Sequence, residues 1–245
     1  MSYCLGIKTQ DGLVMASDSR TSAGADQVNT CQKMYRFEMP DERVFVILTT
    51  GSLSVSQSLI TLLRTDFSAG RGLAAAPTFY DAVREVGAQM RSVSEIDREY
   101  LQRDGYSFNV HILIGGQIKN QEHELYMIYP QGNPLRSTED SPFLQIGEAK
   151  YGRPILDRGV RGNGTTLHEA AKYALLSIDS TIRSNATVGP PVDILVYGSG
   201  ELHLQRHRRF GATDPDLMDI HSRWEQSLRR AVSDLPGIQF PYDQE

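Results

Sequence analysis

A serine at position 2 offers particular chemistry if the chain comes to begin at it. Ser2 is small enough for methionine aminopeptidase to remove Met1, leaving one residue with both a hydroxyl nucleophile and a free α-amine. Such an amine has an unperturbed pKa of about 7.7–8.0, close to where a general base works best. A hydroxyl and an N-terminal amine form a recognised nucleophile–base pair. Asp18, Arg20 and Lys33 supply a carboxylate and two cations that could surround it. A cation such as Lys33 would favour the neutral amine and stabilise a developing alkoxide. Taken singly, each residue has a plainer reading. Ser2 could merely permit Met1 removal, Asp18 and Arg20 could form a turn or surface pair, and Lys33 could be solvated.

The elements that must position these groups begin almost at once. Tyr3, Leu5 and Ile7 alternate with Cys4, Gly6 and Lys8, the period of a half-buried strand. Gln10-Asp11-Gly12 is a turn signal, with Asp11-Gly12 expected at its centre and at positive φ. Leu13 to Asp18 would then run back alongside the first strand. Closing that hairpin brings Ser2 level with Asp18, Ser19 and Arg20.

Ser2-Tyr-Cys-Leu-Gly-Ile-Lys8, Gly12-Leu-Val-Met-Ala16 and Asp18-Ser-Arg20, followed by Ala23-Gly24, resemble the mature amino-terminal motif of proteasome β-type subunits. With Ser2 as first mature residue, the Lys, Gly, Ala, Asp and Arg of that motif all fall in register. The resemblance extends to the bacterial ancestral β-subunit branch, Anbu, which adds a longer carboxy-terminal extension. It is specific over about the first tenth of the chain and continues, by element order, to roughly residue 205.

The resemblance implies an N-terminal-nucleophile hydrolase that cleaves a peptide or amide substrate without cofactor or metal. By it, Ser2 is the nucleophile with its own amine as base, and Asp18 and Lys33 set the local electrostatics. Gly51 is the oxyanion N–H donor and Arg20 a supporting brace. It also implies self-assembly into a homo-oligomer, a ring or an open spiral, and leaves any unfoldase or operon-partner enzyme unidentified. A proteasome α-type subunit is disfavoured, because no helical extension precedes the first strand. Lys33 comes one residue earlier than its counterpart in most β subunits. Two stretches depart from the active pattern. Gly147-Glu148-Ala149-Lys150 stands where the family has Gly-Ser-Gly-Ser with a catalytic-site serine. Ser184-Asn185-Ala186-Thr187-Val188-Gly189 replaces Asp…Ser-Gly-Gly, with Ser184 and Thr187 as candidate stand-ins for the lost hydrogen-bonding pair. Serine for threonine also removes a methyl that helps fix the nucleophile's rotamer. Slow or narrow activity is the expectation.

Further along, strands are expected around residues 32–37 and over 43–48, the second ending in Thr49-Thr50-Gly51-Ser52. Such a strand-to-helix turn lets backbone N–H groups converge on an anion, or the glycine simply serves a tight turn. The next helix carries Val55, Leu59, Leu62, Leu63 and Phe67 on one face, and a longer one spans 78–102. Strands follow over 107–114, 124–129 and 143–146, punctuated by Gly115-Gly116, then a helix over 167–183. Two strands, 192–197 and 201–205, close the body. This order suits an α+β fold, a four-layer αββα sandwich over residues 2–210, since each helix's apolar stripe needs a sheet to cover it. Residues 211–245 read as a helical extension. Thr213-x-x-Asp216 resembles a capping box, and Leu217, Ile220, Trp224, Leu228 and Val232 form a stripe for its own subunit or a neighbour.

Composition adds limits. A net charge of −5 over 245 residues, with pI near 5.7, gives no push towards nucleic acid or anionic membrane. No apolar run approaches the roughly 20 residues of a membrane span, and no secretory signal opens the chain. A cytoplasmic protein is expected, with Cys4 and Cys31 reduced and buried in strands. Arg206-His207-Arg208-Arg209 reads as a surface or intersubunit charge cluster, with no aromatic platform for a nucleic acid. The six histidines lack metal-ligand spacing. Two other functions fit the same residues: a catalytically silent assembly protein, and a small-molecule or isopeptide amidase, since fold does not fix substrate.

Overall fold

The computed structural model describes residues 2–22 and 28–238. Met1, whose removal is expected, and the Ala23-Gly24 pair lie outside the described residues. The chain divides into two compact units, Met1–Ala212 and Thr213–Glu245.

The first unit opens with β1 (Tyr3–Thr9) and β2 (Gly12–Ser17), then the short β3 (Arg20–Ser22) and β4 (Val28–Thr30). After β5 (Met34–Met39) and β6 (Arg43–Gly51) come two helices, α1 (Leu53–Ser68) and α2 (Phe79–Arg103). Four strands follow: β7 (Val110–Ile118), β8 (Glu124–Ile128), β9 (Pro134–Arg136) and β10 (Phe143–Gly147). Then α3 (Ala149–Gly159) and α4 (Leu167–Ser184) precede β11 (Val192–Gly198) and β12 (Arg206–Phe210). One five-stranded antiparallel sheet has the order β10-β1-β2-β11-β12, the other five-stranded sheet β5-β6-β7-β8-β9, and β3 pairs with β4 in a separate two-stranded ribbon.

Side-chain alternation assigns each sheet face. Cys4, Leu13 and Met15 of the first sheet meet Leu48, Leu113 and Leu125 of the second in a core between the sheets. The other face of the second sheet, with Phe45, Ile47, Ile112 and Ile114, packs on Leu59, Val83 and Met90 of α1 and α2. On the far side α4 covers β1 and β2, and Ser177 shares a 2.7 Å hydrogen bond with the Tyr3 hydroxyl. The result is the four-layer αββα sandwich. Each fully buried Leu or Ile contributes about 1.5–3 kcal/mol.

Because helices and a second sheet cover both its faces, β1 is not half-buried as its alternation suggested. Every residue of it except Lys8 is buried. Gly6 is what lets the layers close there, since a Cβ would run into Leu125 Cδ1 and Met15 Sδ. The hairpin turn also differs. Thr9 pairs with Gly12, so the link is Gln10-Asp11, and neither has positive φ. Gly12 (φ +146°) is needed because a Cβ would collide with the Tyr197 carbonyl of the neighbouring strand.

Other expectations are corrected by packing. Gly115-Gly116 does not end a strand but sits inside β7, where a Cβ on Gly115 would press on Met15 and Leu13 across the interface. On α1, Leu62 is exposed and Ile60 takes its place in the core. The helix α3 went unexpected, with Pro154 inside it. The last strand is the basic run itself, Arg206–Phe210, and not 201–205. It is an edge strand whose charges are matched: His207 and Arg209 reach Asp193 at 3.0 and 2.7 Å, and Arg208 lies over the Phe210 ring. Charged edges of this sort resist pairing with other chains. Cys31 lies between strands and is half-buried, whereas Cys4 is buried in β1; both are free thiols.

Tyr3 anchors the start of the hairpin. Burial pushes its phenol up to about 12, against the pull of hydrogen bonds from Ser177 and Gln145. A phenol that ionises near 10 when unfolded then holds its proton longer in the native state, so stability is intact below pH 10 and falls between about 10 and 12. Tyr3→Phe is expected to flatten that alkaline fall by on the order of 2 kcal/mol, read from denaturant midpoints at pH 9 and 11.5.

The second unit holds α5 (Pro215–Ser233). Its N-cap is Asp214, which accepts from the Asp216 N–H, with Pro215 at the first turn, in place of the box expected from Thr213. Proline suits that position because its missing N–H is one the helix leaves unpaired anyway. No residue of α5 is buried. Among the described residues no helix is long and apolar enough to cross a membrane.

Candidate active site

The β1–β2 register pairs Cys4 with Ser17, so the strands run out together at Tyr3 and Asp18. There the two residues clasp each other. The Asp18 N–H donates to the Tyr3 carbonyl at 3.1 Å, and the Tyr3 N–H donates to Asp18 Oδ1 at 3.0 Å. Ser2 is therefore one peptide from a carboxylate with no solvent exposure.

Lys33 completes the pair. It is 3% exposed, and its Nζ donates to Asp18 Oδ1 and to the Arg20 carbonyl, both at 2.6 Å. Asp18 Oδ2 accepts from the Gly189 and Arg20 N–H groups at 3.1 and 3.2 Å. Burial pushes the Asp18 carboxyl up from its ordinary range, while Lys33 and the backbone N–H groups pull it back. The arrangement fixes a cation beside the residue that follows Ser2, inside a shell that water does not reach. Arg20 points away, its guanidinium donating to the Ala186 carbonyl at 2.7 Å. It braces the 186–189 loop against β3.

Gly51 arrives from the other sheet. The Thr49 N–H donates to the Lys33 carbonyl at 3.0 Å, and the Ser52 N–H to the Asn109 carbonyl at 2.7 Å. Strand alternation turns the Gly51 N–H to the same side as Thr49's, beyond Met34 where β5 begins. Its φ of +105° and its contact with the Asn109 carbonyl leave no room for a Cβ. Gly51→Ala is expected to cost about 1–3 kcal/mol of stability, seen as a lower melting temperature, and to disturb that N–H.

A third contact joins the sheets at this point. Gly147 (φ +85°) packs so closely on Ser2 that a Cβ would strike the Ser2 carbonyl oxygen, with Thr50 Cγ2 at 3.3 Å. The Glu148 N–H donates to that same carbonyl at 2.8 Å. Ser2, Asp18, Lys33 and the Thr50-Gly51 turn thus come together at the strand ends.

Two residues escaped the sequence reading as participants here, Glu148 and Asn185. The Glu148 side chain is 7% exposed; its Oε2 accepts from Asn185 Nδ2 at 2.9 Å, and Lys150 Nζ lies 3.4 Å from Oε1. Asn185 Oδ1 in turn accepts from the N–H and hydroxyl of Thr187. Of the two candidate stand-ins, Thr187 joins this network through Asn185, and Ser184 is exposed at the end of α4. An acid directly after the strand-ending Gly147 was the available signal.

With this geometry in view, similarity to known proteins is informative. A family profile described as proteasome subunit matches residues 2–197. Proteasome subunit beta of Haloferax volcanii is 27% identical over 206 residues, covering 84% of this chain and 77% of its own. The helical assembly of the Anbu complex from Pseudomonas aeruginosa superposes with a TM-score of 0.93 at 41% identity, covering 98% of this chain and all of that one. Anbu from Yersinia bercovieri gives 0.91 at 37% identity, over 97% and 99% of the two chains. The chain belongs to the proteasome subunit family, on its ancestral β-subunit (Anbu) branch.

Proposed function

We propose that this protein hydrolyses peptide or amide bonds with Ser2, freed by loss of Met1, as an N-terminal nucleophile. The observation that carries the reading is the buried Asp18–Lys33 pair clasped to Tyr3, one residue from the nucleophile. The Ser2 amine takes the proton of its own hydroxyl as Oγ attacks the carbonyl. The Lys33 ammonium, held in place by Asp18 and the Arg20 carbonyl, stabilises the developing alkoxide. The Gly51 N–H receives the oxyanion, a contact typically worth about 2.7–4 kcal/mol. The ammonium formed on Ser2 then protonates the leaving amine, and water attacks the acyl-enzyme with the same amine as base.

The Glu148–Asn185–Thr187 network stands where family members carry a serine, and the Glu148 backbone N–H holds the Ser2 carbonyl. In this reading it steadies the α-amine. Glu148→Ala removes the carboxylate but keeps the backbone N–H that holds Ser2. It is expected to lower kcat roughly tenfold with KM little changed, and to shift the acidic limb of the pH–rate profile. An unchanged profile would reduce Glu148 to a structural part.

The protein works, on this reading, as a cytoplasmic homo-oligomer. Likeness to the helical Anbu assembly supports an open spiral, and the unburied α5 with its apolar stripe is available for contact between subunits. The function is tested by a panel of short peptide amides and γ-glutamyl amides assayed from pH 5.5 to 9. Hydrolysis should rise with an apparent pKa near that of an N-terminal amine, about 7.7–8.0 or somewhat lower beside Lys33. Turnover of γ-glutamyl amides alone would favour a small-molecule amidase. No turnover of either class would favour a silent assembly protein.

A further inference from the structure

A cavity of about 910 Å³ lies at the opposite end of β1 from the Ser2 centre. Lys8 and Thr9 line it, and Lys8 stands six residues from Ser2, about 20 Å along the strand. Its walls come from separate connections: Gln10 of the β1–β2 link, Gln121 and His123 of the β7–β8 turn, Ser137 after β9, and Asn163 between α3 and α4. Hydrogen bonds lock these pieces together. Gln10 Nε2 donates to Asn163 Oδ1, the Lys8 N–H to the Pro142 carbonyl and Gln117 Nε2 to the Gln121 carbonyl, each at 2.7 Å. His123 Nε2 donates to the Thr9 carbonyl at 2.8 Å, which leaves Nδ1 to accept from the Ser199 hydroxyl at 3.1 Å. Burial pushes this imidazole below its ordinary value, so it braces the wall uncharged near neutral pH.

The lining is charged, amide and hydroxyl side chains almost throughout, whereas pockets for apolar ligands are lined mainly by apolar and aromatic groups. The charges come in both signs. Lys8 Nζ donates to Glu124 Oε2 at 3.2 Å and Arg136 Nε to the same oxygen at 3.0 Å, with Arg136 Nη2 on Oε1. One carboxylate thus holds two cations, and Arg136 Nη1 has no partner among the described residues. Glu122 and Glu139 also line the cavity, and neither forms an ion pair among the described residues. Ser137, buried and next to Arg136 in the chain, has a hydroxyl without a hydrogen-bond partner among the described residues, where buried hydroxyls are normally paired. A ligand matched to this wall carries a carboxylate for Arg136 and Lys8 and an ammonium for Glu122 or Glu139. Between them it needs groups that both donate and accept, as the amide side chains of the lining do. Peptide groups are of that kind. A cube of the cavity's volume has an edge of about 10 Å, the length of an extended tripeptide at about 3.3–3.6 Å per residue. We propose that this cavity is a second peptide site, which holds a free di- or tripeptide with small or polar side chains by its two charged termini. It lies apart from the Ser2 chemistry and does not depend on it.

Binding is measured by calorimetry on full-length Ser2→Ala protein, so that no probe is consumed. The free tripeptide Gly-Gln-Ser should bind about tenfold tighter than its N-acetyl form, and about tenfold tighter than its C-terminal amide, one charge-assisted contact in each case. Trileucine and inorganic phosphate should both bind more weakly than Gly-Gln-Ser. Arg136→Gln should make the acid and amide forms equal, and Glu122→Gln combined with Glu139→Gln should do the same for the free and acetylated amines. Lys8 still pairs with Glu124 in the first variant, and Glu122 and Glu139 are exposed, so melting temperatures should stay near the parent's. The comparison of ligands needs no substitution, so it decides even where a variant fails to fold. Absence of saturable binding at about 1 mM, or equal binding of the acid and amide forms, would overturn the proposal. So would phosphate binding as tightly as the peptide, or terminal preferences that survive both sets of substitutions, which would place the peptide elsewhere. Peptide binding that follows these substitutions, without any Ser2-dependent turnover, would uphold the site and refute the hydrolase reading instead.

Discussion

Ser2→Ala protein is expected to fold as the parent does and to lose hydrolysis by about 10³-fold or more. The two halves of that expectation have separate causes. Ser2 is held through its main chain: its carbonyl accepts the Glu148 N–H at 2.8 Å and packs on Gly147, and neither contact involves the side chain. Alanine is also small enough for Met1 removal, so the variant keeps the free amine and loses only the hydroxyl. Activity lost at constant melting temperature then isolates the nucleophile. Ser2→Thr retains the hydroxyl and adds a methyl that restricts its rotamers, so it should hydrolyse at least as fast as the parent. Initial rates on peptide amides decide both. A Ser2→Ala protein as active as the parent would remove Ser2 from the chemistry.

Lys33→Ala is the second large effect, and it falls on stability as well as rate. The Asp18 and Lys33 side chains are 0% and 4% exposed, and truncating the lysine leaves a carboxylate that water cannot reach. Removing one partner of a buried pair typically costs about 3–5 kcal/mol, chiefly through the charge left behind. The melting temperature should drop sharply, and hydrolysis should fall by about 10²-fold or more as the alkoxide loses its cation. A double substitution separates these causes. Asp18→Asn with Lys33→Met removes both charges, so most of the stability should return while hydrolysis stays lost. If the double variant recovers both, the pair is only structural. If Lys33→Ala melts with the parent, the pair is not what holds the hairpin end closed.

The hairpin that carries Ser2 and Asp18 was legible because two local signals agreed, alternation through Tyr3, Leu5 and Ile7 and a turn ahead of Leu13. That alternation could not tell one covered face from two. Whether Cys4 and Gly6 meet solvent depends on residues such as Leu125, and only the stacking of the second sheet supplies them. Lys33 and Gly51 were legible as residues through the family motif, and their meeting depends on sheet register. Thr49 must bond the Lys33 carbonyl before Gly51 can turn its N–H the same way. Glu148 and Asn185 lie 37 positions apart and join only because α3 starts directly after β10. Pro154 and a short, charged sequence hid that helix. The closing strand was misplaced for a related reason: Arg206 to Arg209 shows no apolar period, and its fit to the sheet edge comes from Asp193 on the neighbouring strand.

The central claim is that one residue, Ser2, supplies both hydroxyl and free amine. A peptide epoxyketone forms its stable ring only with both groups on one residue, so intact mass of untagged protein before and after incubation reads the claim directly. The account predicts a starting mass lacking Met1 and a gain of one adduct per chain, absent from Ser2→Ala. Retention of Met1 on folded, assembled protein would contradict it, because the amine that serves as base would then be a peptide nitrogen.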